Sequence, residues 1–502
     1  MITRTATVAL PERRFPQKAE GEALMRRAAL LGLWVAAWML LTWLCSRTPP
    51  LDNAEQLSWV RQLAWGYYKH PPLPTAFLWP WVQLFGVEEW VTYAAAAAVS
   101  GGGLLLTWRL VAQLAGVRAA DVSMLATLCS VHFSQRLPHF NHDVLLMPCV
   151  VAAAACCWAA FERRSRLAWV GVGVALGLGA LAKYQVALAG VAVVVWWLHE
   201  RAWRDPVHRT GLGVATVLAL AIVGPNLAWV VSHDFLPLHY AVNNSLAHDV
   251  SAHAGRGSVP KWLGDQLTMA LGSMLLLAAV HWRAGRGPAS LVGGEAAHSM
   301  RVRHFLLCWG VLPLATIPLL GLALDARLHA NWAFAYLPLT AAAVAVWVEG
   351  GRWKWLRWRE IWLIFAGVQA ILVAVTLRSA LDPWPGQSLS SHPRRFASQA
   401  LADQIGPPAR LALGGSLRVI AGPFRLASVL ALRLSERPLV LIDGRHDVSP
   451  WVPDGLEGRC GVLWVGGAHE SPPAGAQPHA FGDGLWWAVQ PAHSGAAACD
   501  PL

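Results

Sequence analysis

Apolar residues run along this chain in long, nearly unbroken blocks, without the strict alternation of a half-buried strand or the one-sided rhythm of a surface helix. A helix needs roughly 20 apolar residues to cross a bilayer, fewer where neighbours bury it. On that basis the blocks predict about eleven spans, near 27–46, 91–114, 121–138, 143–161, 167–182, 185–199, 211–231, 263–282, 305–324, 332–349 and 360–378. Between them lie short charged patches. If the N-terminus is inside, alternate connections carry Arg118, the patch Arg163 to Arg166, Arg201 with Arg204, Arg283 with Arg286, Arg301 with Arg303, and the patch Arg352 to Arg359. All of these fall on the cytoplasmic side, as the positive-inside rule requires.

The opposite side then receives the stretch Leu51 to Thr75, a link around His139 to Asp143, a break at Lys183 and Tyr184, a loop near Ser232 to Lys261, the link Asp325 to Asn331, and everything after Arg378. Residues 379–502 form a second compositional unit, rich in Pro and Gly but holding strand-like runs at Pro438 to Ile442 and Gly461 to Val465. They predict a small mixed α/β domain after a membrane domain spanning 1–378, whose first outer loop is 47–90. Gly173 and Gly177 form a small-xxx-small pair suited to close helix packing.

Composition agrees with the pattern. Hydrophobic residues make up 55% of 502 and charged residues only 14%, which excludes an ordinary soluble domain. The 29 Trp suit the headgroup layer, where an indole keeps one end wet. A net charge of +11 would suggest nucleic acid in a soluble protein. In a membrane protein it reads as loop charge that orients helices and meets anionic lipid, so no nucleic-acid partner is expected. No A-x-A site follows the first apolar run, so the chain is expected to keep it. Six of the eight Cys fall in or beside apolar runs; Cys460 and Cys499 lie in the tail and can pair if it is in an oxidising compartment.

The chemistry concentrates in the first outer loop. Asp52 begins a segment with Leu57, Val60 and Ala64 on one side and Arg61 beside them, which predicts an amphipathic helix on the membrane surface, ended by Pro71 and Pro72. Asp52 and Glu55 have the spacing of a capping box, which would make them helix-end residues. The sharper reading is that carboxylates, two cations (Arg61 and Lys69) and the titratable His70 are gathered to hold a lipid phosphate and activate an acceptor. His139, His142 and Asp143, with an outer His such as His329, offer metal-ligand atoms. Their spacing matches no metal-cage signature, so hydrogen-bonded interfacial residues are expected there, with a divalent ion as the alternative. Lys183 has two compatible roles, snorkelling at a span end and contacting phosphate.

The series Asp52-Asn53-Ala54, Trp65-Gly66-Tyr67-Tyr68, His70-Pro71-Pro72-Leu73 and Leu84-Phe85-Gly86 resembles the first outer loop of the GT-C membrane glycosyltransferases. The similar branch is glycosyltransferase family 39, with the lipid A aminoarabinose transferases and the protein O-mannosyltransferases. Asn141-His142-Asp143 is similar to the family's second acidic motif, Gly179 to Tyr184 to its Leu-x-Lys-Tyr break, and His329-Ala330-Asn331-Trp332 with Tyr336-Leu337-Pro338 to a late motif. These matches keep the family order over about the first 340 residues.

The resemblance implies a polytopic helical GT-C fold in a bacterial inner membrane, with the N-terminus cytoplasmic and the C-terminal domain periplasmic. It implies hexosyl or pentosyl transfer from a polyprenyl-phosphate-linked sugar donor to a glycolipid acceptor, lipid A or lipopolysaccharide core, by a monomer among membrane lipids with no required cofactor. Asp52 would be the catalytic carboxylate and Asp143 a second acid in the same cavity. Glu55, Arg61, Lys69, His70, Lys183, Tyr184, Arg327 and His329 would bind substrate, with Lys69, Lys183 and Arg327 neutralising the carrier phosphate. Where the family often has Asp-Glu-Ala this chain has Asp52-Asn53-Ala54, which removes a second adjacent carboxylate and points to a different sugar or acceptor. A protein acceptor is the nearest alternative. A flippase would need inverted repeats and ionisable residues in mid-span, whereas these groups sit at outer span ends.

Overall fold

The computed structural model describes residues 17–246, 257–284, 294–349, 357–381, 389, 393–482, 484–493 and 499. In chain order the first helices are α1 (Gln17–Leu44), α2 (Leu51–Trp59), α3 (Leu73–Phe85), α4 (Glu89–Ala115), α5 (Val117–Leu128) and α6 (His142–Glu162). Next come α7 (Arg166–Ala182), α8 (Ala187–His199), α9 (Pro206–Ser232), α10 (Leu236–Ala241) and α11 (Ser258–Ala284). The membrane part closes with α12 (Gly294–Leu306), α13 (Leu312–Leu324), α14 (Leu337–Glu349) and α15 (Trp358–Leu381). Among the described residues eight helical stretches are long and apolar enough to cross a bilayer, and two more, Arg166–Ala182 and Tyr184–His199, are apolar but shorter. The protein is a multi-pass membrane protein. Gly173 and Gly177 let α7 approach α9, where a Cβ at either would fall 2.7 Å from the Ala215 carbonyl oxygen or 2.8 Å from Ile222.

Two expectations need correction. The span expected at 121–138 is not a span, because α5 ends at Leu128 and turns follow through Pro138. The residues responsible are polar. Ser130 Oγ donates to the Thr127 carbonyl and accepts from Phe133 N–H, Val131 N–H reaches the Met269 carbonyl at 2.9 Å, and Gln135 Nε2 donates to α15 at Leu372 and Thr376. Side-chain and cross-helix bonds thus replace the helical ladder, which is tolerable at this depth because the segment is packed inside protein.

The other correction concerns the amphipathic surface helix. The helix observed there, α2, ends at Trp59, well before Pro71, and Asn53 to Trp59 are all buried. Asn53 explains the burial. Its amide Nδ2 donates to Thr92 Oγ1 (2.8 Å) and the Pro138 carbonyl (2.9 Å), while its Oδ1 accepts from Phe140 N–H (2.8 Å). One side chain therefore clamps α2 to α4 and to the turn before α6, with every polar atom satisfied.

The C-terminal unit contains α16 (Ser398–Leu413), β1 (Val419–Gly422), α17 (Phe424–Ala431), β2 (Leu439–Ile442), α18 (Leu456–Cys460), β3 (Val462–Gly467), β4 (His479–Phe481) and β5 (Leu485–Gln490). Its strands form one sheet in the order β2-β1-β3-β5-β4. Strand β1 runs parallel to β2 and β3, and the β3–β5 and β5–β4 pairs are antiparallel. The strand-like runs read from the sequence correspond to β2 and β3. Cys460 and Cys499 form a disulfide. The unit sits on α2, where Ser58 Oγ lies 3.5 Å from Ser428 Oγ, and on the start of α4 through Arg433 to Glu89 (2.8 Å) and Arg437 to Glu88 (2.9 Å).

Candidate active site

Asp52 lies in the first turn of α2, half-buried, but it does not cap the helix. The cap position is Pro50, and no side chain bonds the free N–H groups there. Instead Asn141 Nδ2 donates to Asp52 Oδ2 at 2.8 Å. The same Asn141 is the N-cap of α6, its Oδ1 accepting from the N–H groups of Asp143 (3.1 Å) and Val144 (3.2 Å). The cap of one helix thereby fixes the carboxylate of another. Asp143, in the first turn of α6, pairs with Lys183 at 2.7 Å, and Lys183 stands in extended backbone at the break after α7. Two acidic motifs and the lysine break, distant in sequence, thus meet at one place.

A cation that sequence reasoning missed belongs here. Arg136, half-buried in the turn before α6, interacts electrostatically with both Asp52 and Asp143 and makes no salt bridge among the described residues. The signal in the sequence was an arginine inside an apolar block that otherwise reads as a span. Arg394 of the C-terminal segment lies beside it, its guanidinium donating to the Gln135 carbonyl. Burial draws the Arg136 guanidinium down from its ordinary value, opposed by the carboxylates of Asp52, Asp143 and Asp265.

Next to this group is a sealed pair. Lys69 Nζ is 2.6 Å from Glu55, Tyr68 Oη donates to the other Glu55 oxygen at 3.1 Å, and Phe424 of the C-terminal unit covers the ammonium at 4.2 Å from its ring centroid. Trp59, Tyr68 and Tyr240 complete the cage, each within 5.8 Å of the ammonium. Burial pushes the Glu55 carboxyl up, against the pull of Lys69. His70 stacks on His142 with ring centroids 3.9 Å apart. Burial first, then His142, Lys69 and Lys183, hold His70 well below its ordinary value, so it is neutral at pH 7. His142 Nε2 is buried without a partner. Gly66 in the same motif lies against Trp229, where a Cβ would come within 2.2 Å of the ring.

The remaining candidates divide. His329 Nε2 accepts a hydrogen bond from Asn244 Nδ2 (3.1 Å) and interacts with Lys183 and Arg327, so the late motif faces the same region. Tyr184 instead donates to Asn226 (2.8 Å), whose amide holds the Trp65 carbonyl, and serves to join α9 to the first loop. Arg61 lies beyond the end of α2, exposed, with its guanidinium on the Arg437 carbonyl (3.3 Å), on the side of the C-terminal unit. His139 sits with Arg136, Arg394 and His132, while His142 sits with His70. Among the described residues no group of three or more His, Cys, Asp or Glu comes together to hold a metal.

A half-buried carboxylate aimed by an amide, a second carboxylate holding a lysine, and an arginine that makes no salt bridge among the described residues can accept a proton and stabilise a departing anion in one place. The family described as Dolichyl-phosphate-mannose-protein mannosyltransferase matches residues 69–229. The chain adopts the fold of ArnT from Cupriavidus metallidurans, solved bound to undecaprenyl phosphate, with a TM-score of 0.60 at 15% identity over 94% of this chain and 98% of that one. It has the GT-C fold and resembles glycosyltransferase family 39. Among sequence relatives, the lipopolysaccharide core galacturonosyltransferase RgtA of Rhizobium johnstonii is 26% identical over 52% of each chain. The lipid A galacturonosyltransferase RgtD of the same organism is 24% identical over 64% of each. The matched part of the chain thus spans about half of RgtA and somewhat under two thirds of RgtD. Within the GT-C fold, the family match begins at Lys69 and takes in Asp143 and Lys183.

Proposed function

We propose that this protein transfers a sugar from a polyprenyl-phosphate carrier to a hydroxyl of a lipopolysaccharide glycolipid, lipid A or core, at the periplasmic face of the inner membrane. One observation carries the reading: Asn141 binds Asp52 while, two residues on, Asp143 binds Lys183, so the first and second acidic motifs and the lysine break form one site. Asp52 takes the proton of the acceptor hydroxyl as its oxygen attacks the anomeric carbon. The bond from that carbon to the carrier phosphate breaks, and Arg136 and Lys183 stabilise the phosphate as it leaves. The chemistry requires no resident cofactor, because the phosphate ester already activates the sugar.

The orientation has two supports. Arg164, Arg201, Arg204 and Arg301 gather with Glu200 and Asp205 at the helix ends assigned to the cytoplasm, lining a common cavity. The Cys460–Cys499 disulfide of the C-terminal unit suits the oxidising periplasm. The names of RgtA and RgtD support a glycolipid acceptor, and the ArnT complex supports a polyprenyl phosphate. The match to the protein mannosyltransferase family favours a second reading, transfer to protein.

Asp52→Asn keeps the size of the side chain and removes its charge. Since Asp52 is not a cap, the variant is expected to fold and insert normally and to lose transfer by on the order of 10²-fold or more, within the range of general-base contributions. Mass spectrometry of lipid A, core oligosaccharide and envelope proteins from cells with the wild-type gene, D52N and no gene identifies the acceptor. Unchanged sugar increments in D52N cells would remove Asp52 from the mechanism, and an increment on protein alone would replace the glycolipid reading.

A further inference from the structure

The C-terminal unit does more than cover α2. Two of its three parallel strands, β1 and β2, end toward the site: Phe424, just after β1, lies on Lys69, and Asp443, just after β2, interacts electrostatically with Tyr68. Carboxyl ends of parallel strands are where α/β sheets present ligand-binding groups. The residue after Phe424 is Arg425, exposed, its guanidinium 5.6 Å from the Phe424 ring centroid.

A second segment fixes where Arg425 reaches. Tyr240 belongs to the Lys69 cage, and Asn244, about one helical turn later, binds His329. The same segment is tied to the late motif by Arg327 N–H on the Ser245 carbonyl at 2.8 Å. The Lys69 cage and His329 are therefore about one turn apart, and the neighbours Phe424 and Arg425 bridge the same interval: Phe424 touches the cage, and Arg425 interacts with His329. Three cations act on His329, namely Lys183, Arg327 and Arg425, and burial together with these charges holds the imidazole below its ordinary value. Lys183 is paired with Asp143, but among the described residues Arg327 and Arg425 make no salt bridge. Two guanidinium groups from different parts of the molecule thus act electrostatically on one imidazole beside the proposed transfer site, with an excess of positive charge and donors suited to planar anions.

Resting on the proposed transfer reaction, we propose that Arg425 and Arg327 form an anion subsite, built jointly by the C-terminal unit and the membrane part, that selects substrates by a carboxylate or phosphate close to the reacting centre. Two sources carry that chemistry: the carboxylate of a uronic acid on the donor, or a phosphate on the glycolipid acceptor. The subsite makes the C-terminal unit part of substrate recognition, with Arg425 as a specificity-determining residue and not a catalytic one.

The test uses full-length protein in detergent and calorimetric binding of four probes. These are polyprenyl phosphate galacturonate and its galactose counterpart, and bisphosphorylated lipid A and its dephosphorylated form. R425Q and R327Q are each expected to lose about tenfold or more in affinity for one charged probe, with its uncharged counterpart changed less than twofold and R425K partly restored. A loss confined to the galacturonate donor assigns the subsite to the sugar, and a loss confined to lipid A phosphate assigns it to the acceptor. Wild-type affinity of both glutamine variants for all four probes overturns the subsite. Transfer is measured in parallel: arginine-dependent binding without any transfer by wild type would sink the proposed reaction and leave the subsite standing, whereas transfer with arginine-independent binding would do the reverse.

Discussion

Lys69 and Lys183 close salt bridges of almost equal length, 2.6 Å to Glu55 and 2.7 Å to Asp143, in different surroundings. The first pair is 6% and 3% exposed and roofed by Phe424, with Tyr68 satisfying a further oxygen of Glu55. The second is 14% and 9% exposed, stands at a break between two helices, and has beside it the His329 cluster and Arg136, which makes no salt bridge among the described residues. The difference teaches that lysines flanking family motifs need not do the same work. A sealed pair in which both oxygens of the carboxylate have donors holds α2, the first loop and the C-terminal unit together, and has little net charge left for a carrier phosphate. The more open pair can exchange part of its interaction for a substrate anion.

The comparison breaks most visibly at the sealed pair. Lys69→Ala leaves Glu55 buried without its counter-charge, and removing one partner of a buried pair costs about 3–5 kcal/mol. Thermal unfolding in detergent should show a large fall in Tm, with most of it recovered in the double variant Glu55→Gln, Lys69→Met, which removes both charges. A small change in Tm together with lost carrier binding would instead give Lys69 the phosphate role read from the sequence.

Lys183→Ala should do the opposite. Preorganised electrostatic donors contribute roughly 10² to 10³ in rate, so transfer is expected to fall by that order while Tm moves far less than in Lys69→Ala. Equal losses of stability in the two variants would erase the distinction between the pairs.

The smallest effect is in pH. His70 and His139 have folded values well below the ordinary imidazole value, chiefly through burial, so the unfolded chain binds protons that the folded one does not. Their contribution to stability is fully present above the unfolded value of ~6.5 and is lost as pH falls below it, by at most about 1.4 kcal/mol per pH unit per histidine and less for their partial exposure. Tm should therefore decline from pH 7 to pH 5. Glu55 works the other way: its raised carboxyl stabilises the fold below the ordinary carboxylate value, and that contribution is lost as pH rises through the folded value. The histidine slope is cleanest in Glu55→Gln, and a Tm independent of pH in that variant would contradict it.

Much of the site was legible as a set of residues and little of it as a set of partners. Asp52, Asp143, Lys183 and His329 come to one region, as their motif order suggested. Arg61 and Tyr184 were expected in the same group, Tyr184 from its place in the lysine break, yet face the C-terminal unit and α9. Asp52 and Glu55 fit a capping box by spacing, but spacing cannot report that Asn141 and Lys69 offer better partners. Asn53 looked like a missing carboxylate and is a structural clamp, because its amide both donates and accepts where a carboxylate only accepts. Arg136 was hidden in an apolar block whose hydropathy outweighed its few polar residues.

The sequence by itself determined most of the membrane-crossing helices with their approximate limits and two of the five strands of the tail, β2 and β3. These follow from local requirements: a chain in hydrocarbon must satisfy its backbone within each segment, and a short apolar run between turn residues has few other ways to be buried. Only the tertiary structure decided which cation meets which carboxylate, why α5 stops at Leu128, and that the C-terminal unit reaches the site through Phe424 and Arg425. Those contacts join residues 89, 40 and more than 300 positions apart in sequence, and a pairing at that distance depends on the packing of every helix between.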